Sequence, residues 1–317
     1  PRPPALQVGD VHGDWCARED AAAMRALRAE LALFVGDFGN EDVALVRRVA
    51  ELDHAKAVIL GNHDSWYTSY SRRRARKGAG PRGRVDEQLE ALGDDHVGYA
   101  ARRWPELALS VFGGRPFSSG PKPWRAHASF FRARYGVSSC EASAARIHDA
   151  GLGQPEEDAL VLLAHSGPSG LGDKPYDICG VDWQVPGGDW GDKDLRMALN
   201  RLHSSGRHVA CCVFGHMHMA LNARTHAGSS RRMVAVDRRG VTYVNAAVVP
   251  RVVKDAEGGR RRHNFTLIDL LDGQVETVHN VWVARAGEGE GRSEGGADGD
   301  AEKGAEGDWA VTEHQVW

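Results

Sequence analysis

No apolar run in the 317-residue chain reaches the roughly 20 residues needed to cross a bilayer, so no membrane-spanning helix is expected. Neither sign of charge dominates. The 40 Lys and Arg against 43 Asp and Glu leave −3 at pH 7, and charge balance implies neither a nucleic-acid coat nor a broad membrane-binding face. Cysteine is scarce: Cys16, Cys140, Cys179, Cys211 and Cys212 are odd in number and form no CxxC pair, which argues against a disulfide framework. Cys211 and Cys212 sit in the apolar run "HVACCVFGH" and read as inert thiols of a buried strand. A reducing intracellular compartment is expected. The chain also lacks an initiator Met and a secretory apolar region; it opens "PRPPALQ", from which a removed leader or a longer N-terminus is expected. There is no internal repeat.

Apolar runs alternate with helix-like stretches. "ALQVGD", "LALFVGD", "AKAVILGNHD", "LALSVFGGR", "ALVLLAHSG", "HVACCVFGH" and "VTYVNAAVV" read as strands. "REDAAAMRALRAEL" and "NEDVALVRRVAELDH" place apolar residues at helical spacing. This is the βαβ rhythm of an α/β fold, in which ligands bind beyond the carboxyl ends of the strands. "VTYVNAAVVPR" followed by "HNFTLIDLLDGQVETVHNVWV" alternates apolar and polar residues across a turn at "LDGQ" and is expected to close the second sheet. One domain is expected over residues 1–285, followed over 286–317 by an acidic Gly- and Glu-rich tail that reads as disordered. That tail ends "WAVTEHQVW", so that Trp309 to Trp317 could dock on the domain or on a partner.

Polar residues gather at the strand ends. They are Asp10 and His12 in "QVGDVHGDWC", Asp37 in "VGDFGNED", Asn62, His63 and Asp64 in "GNHD", His165 in "AHSGP", and His216 with His218 in "GHMH". A single histidine at a strand end is more often a satisfied imidazole than a metal ligand; the set is far more specific. His12 to Asp37 and Asp37 to Asn62 are each about one strand-helix-strand unit, which returns the chain to the same rim. In "DVH" and "HMH" a two-residue step along extended backbone points both side chains to one side. Seven oxygen and nitrogen donors exceed what one first-row ion takes, whereas two ions sharing a central carboxylate use them all, with Asp37 as the natural bridge.

The blocks "GDVHG", "GD", "GNHD", the later His165 and "GHMH", in this order from about Val8 to Val249, resemble the signature of calcineurin-like metallophosphoesterases. The resemblance implies an α/β fold of the αββα type, a two-sheet sandwich with the metals held by loops at one rim. It implies that Asp10, His12, Asp37 and His218 hold one ion and that Asp37, Asn62, His165 and His216 hold the other. The ions would be divalent or trivalent: manganese, iron, zinc or a mixed pair. His63 would be the catalytic histidine that is not a ligand, stabilising the phosphoryl oxygens and protonating the leaving group while a metal-activated hydroxide attacks phosphorus in line.

Departures from the family pattern bear on substrate. Many members carry a second Asp three residues after the bridging one, paired with the catalytic histidine; here Asn40 stands there, followed by Glu41 and Asp42. Which residue orients His63 is therefore open. "GDFGNED" and "GNHD" differ from the "GDxxDRG" and "GNHE" of the protein-phosphatase branch, which makes a phosphoprotein substrate less expected. "LGDDHVGY", "VFGGRPFS", "LGDKPYDICGVDW" and "GGDWGDKDL" are similar to a branch found in cyanobacteria and plastid-bearing eukaryotes, and imply a chloroplast stromal protein, with the cytoplasm as the alternative.

Other residues carry two readings. Arg115 in "VFGGRPF" follows a strand and could grip a phosphate, or be a plain surface arginine; with Asn40 it is a candidate substrate contact. The basic loop Arg72 to Arg84 could draw a polyanion, but without interleaved aromatics it reads as a solvated loop. Asp189, Asp192 and Asp194 read as helix-start acids and caps, and Asn245 as a structural hydrogen-bonding residue. The expected function is hydrolysis of a small phosphomonoester or phosphodiester. A nuclease or nucleotide phosphodiesterase using the basic loop is the alternative among enzymes, and a metal-binding scaffold without catalysis is the alternative from another class.

Overall fold

A computed structural model describes residues 5–69, 83–122, 124–254, 260–286 and 309–317. Residues 70–82, most of the basic loop, and residues 287–308 of the acidic segment lie outside the described residues.

The first sheet has seven strands: β1 (Ala5–Val8), β2 (Leu31–Phe34), β3 (Lys56–Val58), β10 (Val252–Lys254), β11 (Arg261–Leu271), β12 (Gln274–Arg285) and β13 (Trp309–Val316). Its order is β13-β12-β11-β1-β2-β3, with β10 pairing β11; β1, β2 and β3 run parallel and the others are antiparallel additions. The second has six: β4 (Ala101–Trp104), β5 (Leu109–Gly113), β6 (Ala159–Leu163), β7 (Cys211–Phe214), β8 (Val234–Val236) and β9 (Thr242–Asn245). Its order is β4-β5-β6-β7-β9-β8, parallel from β5 through β9. All seven apolar runs singled out in the sequence are strands.

Alternation along these strands divides the core into two clusters, one between the sheets and one on their helix-covered faces. On β2, Leu31 and Leu33 face the space between the sheets while Ala32 and Phe34 face the helices. The same split separates Val161 and Leu163 from Leu160 and Leu162 on β6, and Cys211 and Val213 from Cys212 and Phe214 on β7. A strand buried on both faces reads as a continuous apolar run, which is why these segments stand out in the sequence. The five thiols are free, and burial pushes Cys211 up to about 12, as expected of an inert core cysteine.

Helices α1 (Ala17–Ala26), α2 (Val43–Ala50), α3 (Arg84–Leu92), α4 (Ala128–Tyr135), α5 (Cys140–Leu152), α6 (Lys193–Ser204) and the short α7 (Ala223–His226) complete the described chain. The Asp42 side chain accepts from Leu45 N at 3.0 Å to start α2, and Ser139 caps α5 in the same way.

Two expectations are corrected. The hairpin β11–β12 does turn at Asp272 and Gly273, both with positive φ as a two-residue Asp-Gly turn requires, but it extends the first sheet beside β1 and does not close the second. Buried Asp20 on α1 secures it there, bonded to Arg251 at 2.8 Å and to His263 Nδ1 at 3.0 Å. The acidic segment expected to be disordered over 286–317 ends in a strand: β13 pairs with β12 from Trp309↔Arg285 to Val316↔His279.

Candidate metal centre

Parallel strands bring their carboxyl ends to one rim, and the turns that follow β1, β2, β3, β6 and β7 carry every candidate ligand. The two sheets meet there. The backbone N–H of His216, after β7, donates to Asp10 Oδ1 and Oδ2 at 3.1 and 2.9 Å, and His165 Nδ1 donates to Val35 O at 2.7 Å. Three of the candidate ligands have strained backbone: His12, Asp37 and His216 have φ of 45°, 53° and 68°, a region sparsely used by residues other than glycine.

Two glycines make the convergence sterically possible. A Cβ on Gly61 would collide with Asp37 Oδ1 and the His165 ring, and a Cβ on Gly215 with Asp10 Oδ1. Asp64 holds the turns in register by accepting from Gly61 N at 2.7 Å, Asp37 N at 2.9 Å and Phe38 N at 3.0 Å. Burial and the neighbouring Asp37 charge push its carboxyl well above the ordinary range, consistent with a brace more than a working carboxylate.

The donors form overlapping groups that could each hold a cation: Asp10, His12 and His218; Asp37, His165 and His216; and a bridging set of His12, Asp37 and His63. Within them His218 Nε2 lies 3.5 Å from Asp10 Oδ2, His12 Nε2 lies 3.8 Å from Asp37 Oδ2, and His165 Nε2 lies 3.4 Å from Asp37 Oδ1 and 3.0 Å from Asn62 Oδ1. No lysine or arginine ion-pairs with Asp10 or Asp37 among the described residues. Among the described residues the side chains that face these buried carboxylates with ring nitrogens are imidazoles, with the backbone N–H groups of His216 and His63 as further donors. Burial opposes a charge on His165, yet Asp37 and Asp10 together push it up to about 10, while burial and charged His165 push His216 down to about 3. Asp37 is held below the carboxylate range despite its burial, because His165 faces it.

His63 stands beside this cluster, its backbone N–H donating to Asp37 Oδ1 at 2.8 Å. Its Nδ1 donates to Asn40 Oδ1 at 2.7 Å, so Asn40 is the side chain that holds the imidazole. Burial holds His63 below its ordinary value, with the Asp37 charge opposing. The rings of His63, His12 and His218 form a row, with centroid separations of 5.1 and 5.2 Å. The solvent side of the centre is the side of His12 and His218, whose side chains are 23% and 41% exposed.

Arg115 is corrected. It is buried, with Nη2 donating to Asp192 Oδ1 at 2.5 Å and Nε to Asp194 Oδ2 at 2.9 Å; it is neither a surface arginine nor an exposed phosphate grip. Asp192 and Asp194 are its counterions, and Asp192 makes no side-chain cap bond at the start of α6. Asp189 accepts from Gly170 N and Gly191 N instead. Asn245 is structural, donating to Met217 O at 2.6 Å and accepting from Ala247 N at 3.0 Å. Sequence reasoning missed Arg231, which is buried and bonds His218 O at 3.0 Å as well as the carbonyls of Pro175, Asp177 and Gly180. It ties the segment Pro175 to Gly180 to the "GHMH" turn, and no motif announces it.

Residues 3–220 match the calcineurin-like phosphoesterase family, and the chain belongs to that family. Among solved structures it is similar to a dimetal phosphatase from Danio rerio, at 13% identity over 89% of this chain and 95% of that one, with a TM-score of 0.47. It is also similar to the sulfate thiohydrolase SoxB of Thermus thermophilus, at 16% identity over 83% of this chain and 40% of that one, TM-score 0.40. The NAD nucleotidase of Haemophilus influenzae gives 10% identity over 98% of this chain and 49% of that one, TM-score 0.38. No curated protein matches the chain significantly.

Proposed function

We propose that the protein is a dimetal phosphoesterase that hydrolyses a small phosphomonoester or phosphodiester. The observation that carries this reading is the pair of cation-sized donor groups, Asp10/His12/His218 and Asp37/His165/His216, with Asp37 between them and His63 alongside.

The residues fit a pair of metal ions. His165 commits Nδ1–H to Val35 O, so Nε2 turns toward two oxygen acceptors, Asn62 Oδ1 and Asp37 Oδ1. Either a second proton or a cation must satisfy those facing lone pairs. Locking the far ring nitrogen onto a carbonyl is the usual support for a metal-ligating histidine. His12 Nε2 is buried with no hydrogen-bond partner, as an unused ligand atom would be. Asp10, His12, Asp37 and His218 would hold one ion, and Asp37, Asn62, His165 and His216 the other, with Asp37 shared. The nitrogen and oxygen donors suit manganese, iron or zinc. Bound there, the two ions would supply positive charge to the phosphoryl oxygens and acidify a water.

The protein's own groups do the rest. Asn40 accepts from His63 Nδ1–H and so turns Nε2 toward the ester; the ring that has taken up a second proton at Nε2 from solvent, as imidazolium, hands that proton to the departing oxygen and returns to the neutral form. The open side at His12 and His218 admits the ester. Hydrolysis of p-nitrophenyl phosphate and of bis-p-nitrophenyl phosphate with added manganese tests the reading, alongside His63→Ala. Turnover of either ester is expected, and on an alkyl ester such as glycerol phosphate, whose leaving group needs the proton, the variant should lose about 10² or more with its metals retained. Metal binding without turnover of any ester in a broad set would favour the scaffold alternative.

A further inference from the structure

His63 has a second neighbour outside the donor groups. The indole of Trp66 stacks on its imidazole with centroids 4.6 Å apart and planes 12° from parallel. The arrangement follows from the local backbone. His63–Ser65 is a single turn of 3₁₀ helix, and Trp66 N donates to His63 O at 3.1 Å; on such a turn side chains at i and i+3 eclipse, so the two rings face each other. The turn is itself fixed from outside, with Gln88 Nε2 donating to Asp64 O at 2.8 Å.

The bond to Asn40 places Nδ1 but leaves the ring free to tilt about that bond. A parallel indole removes that freedom on one face, and the His12 ring, edge-on at 81°, limits it from another direction. We propose that Trp66 is a positioning residue that, together with Asn40, aims His63 Nε2 at the leaving oxygen of the ester. This inference rests on the phosphoesterase reading. Its consequence is selective: a poor leaving group needs its proton delivered in the transition state, whereas p-nitrophenolate departs without one.

The test compares wild type, Trp66→Leu and Trp66→Phe as full-length, manganese-loaded protein on p-nitrophenyl phosphate and on an alkyl ester such as glycerol phosphate, with metal content measured for each. Trp66→Leu is expected to lower kcat on the alkyl ester by ~10–100-fold and on the aryl ester by less than ~3-fold, with KM nearly unchanged. Trp66→Phe, which keeps a stacking ring, is expected to recover most of the loss, and Trp66→Leu added to His63→Ala should cost little more than His63→Ala alone. Equal losses on both esters, or an undiminished further loss in the His63→Ala background, overturn the inference while leaving the phosphoesterase reading intact. Should Trp66→Leu lose its metal, the milder Trp66→Met, alone and in the His63→Ala background, takes its place in both comparisons. A wild type inactive on every ester brings down the phosphoesterase reading and this inference with it.

Discussion

Two buried polar clusters lie near one another and are built on opposite principles. At the rim, Asp10 and Asp37 are surrounded by His12, His165, His216 and His218, and their donor atoms converge. Behind it, Arg115 is enclosed by Asp192 and Asp194, Asp194 accepts from Ser143 at 2.5 Å, and Ser143 meets Tyr99 at 2.7 Å. In the second cluster a permanent guanidinium is held between two carboxyls, of which Asp192 is pushed by burial up to about 7, and the result is a strut between the strand ends and α6. In the first, no permanent cation answers the carboxylates among the described residues. Buried charge is costly unless it is paired, and carboxylates answered by titratable imidazoles, whose nitrogens become ligands once deprotonated, fit a cation site in a way that a guanidinium-filled cluster does not.

The comparison can be broken in four places, in decreasing order of effect. Asp37→Ala removes the group proposed to be shared by both ion sites, and on that reading kcat/KM is expected to fall on the order of 10³-fold or more, because each metal would contribute several kcal/mol of transition-state stabilisation. Steady-state assays with excess manganese check this; retention of a tenth or more of the wild-type activity would refute the shared role. Arg115→Met should act on stability instead, costing about 3–5 kcal/mol by leaving two buried aspartates without their partner. Urea unfolding reads the loss, and a raised KM in protein that is still folded would return Arg115 to the substrate site.

Gly61→Ala pushes a methyl into Asp37 and the His165 ring. Metal affinity is expected to drop by ~10–100-fold, as when the support of a ligand is disturbed, with the far-ultraviolet circular dichroism unchanged. Unaltered metal titration would show that the turn relaxes around the methyl. The smallest effect is in pH dependence. Burial raises Asp192 to about 7, with Arg115 opposing, whereas an unfolded Asp titrates near ~3.9. Between those values the native state keeps a proton that the unfolded chain has lost, so this group's contribution to stability falls as pH rises. The deficit of Asp192→Asn relative to wild type should therefore narrow from about pH 5 to about pH 8, at no more than ~1.4 kcal/mol per pH unit. A widening deficit would place the proton elsewhere.

The first cluster was legible in the sequence and the second was not, for a physical reason. Ligands at parallel strand ends are announced by local pattern: an apolar run, a glycine and a polar residue, as in "VILGNHD" or "VFGHMH". The runs gave the strands, and parallel geometry then carried the residues to one rim. Arg115 follows the same pattern, but which way its side chain points depends on acids 77 and 79 positions away, and nothing local reports them. Arg231 is hidden for the same reason, since its partners are backbone carbonyls. The placement of β11–β12 in the first sheet rests on Asp20, Arg251 and His263 meeting across the fold. Asn40 was visible as a departure, but only the 2.7 Å contact shows that it orients His63. The Trp66 stack needed knowledge that the turn after "GNH" is 3₁₀.

The most direct test of the account is a metal count. Protein reconstituted with manganese and freed of excess ion should carry two ions per chain by elemental analysis, with Arg115→Met still carrying two and Asp37→Ala fewer than one. A wild type that binds none, or an Asp37→Ala protein that keeps both, would contradict the claim that the rim cluster is a dinuclear centre.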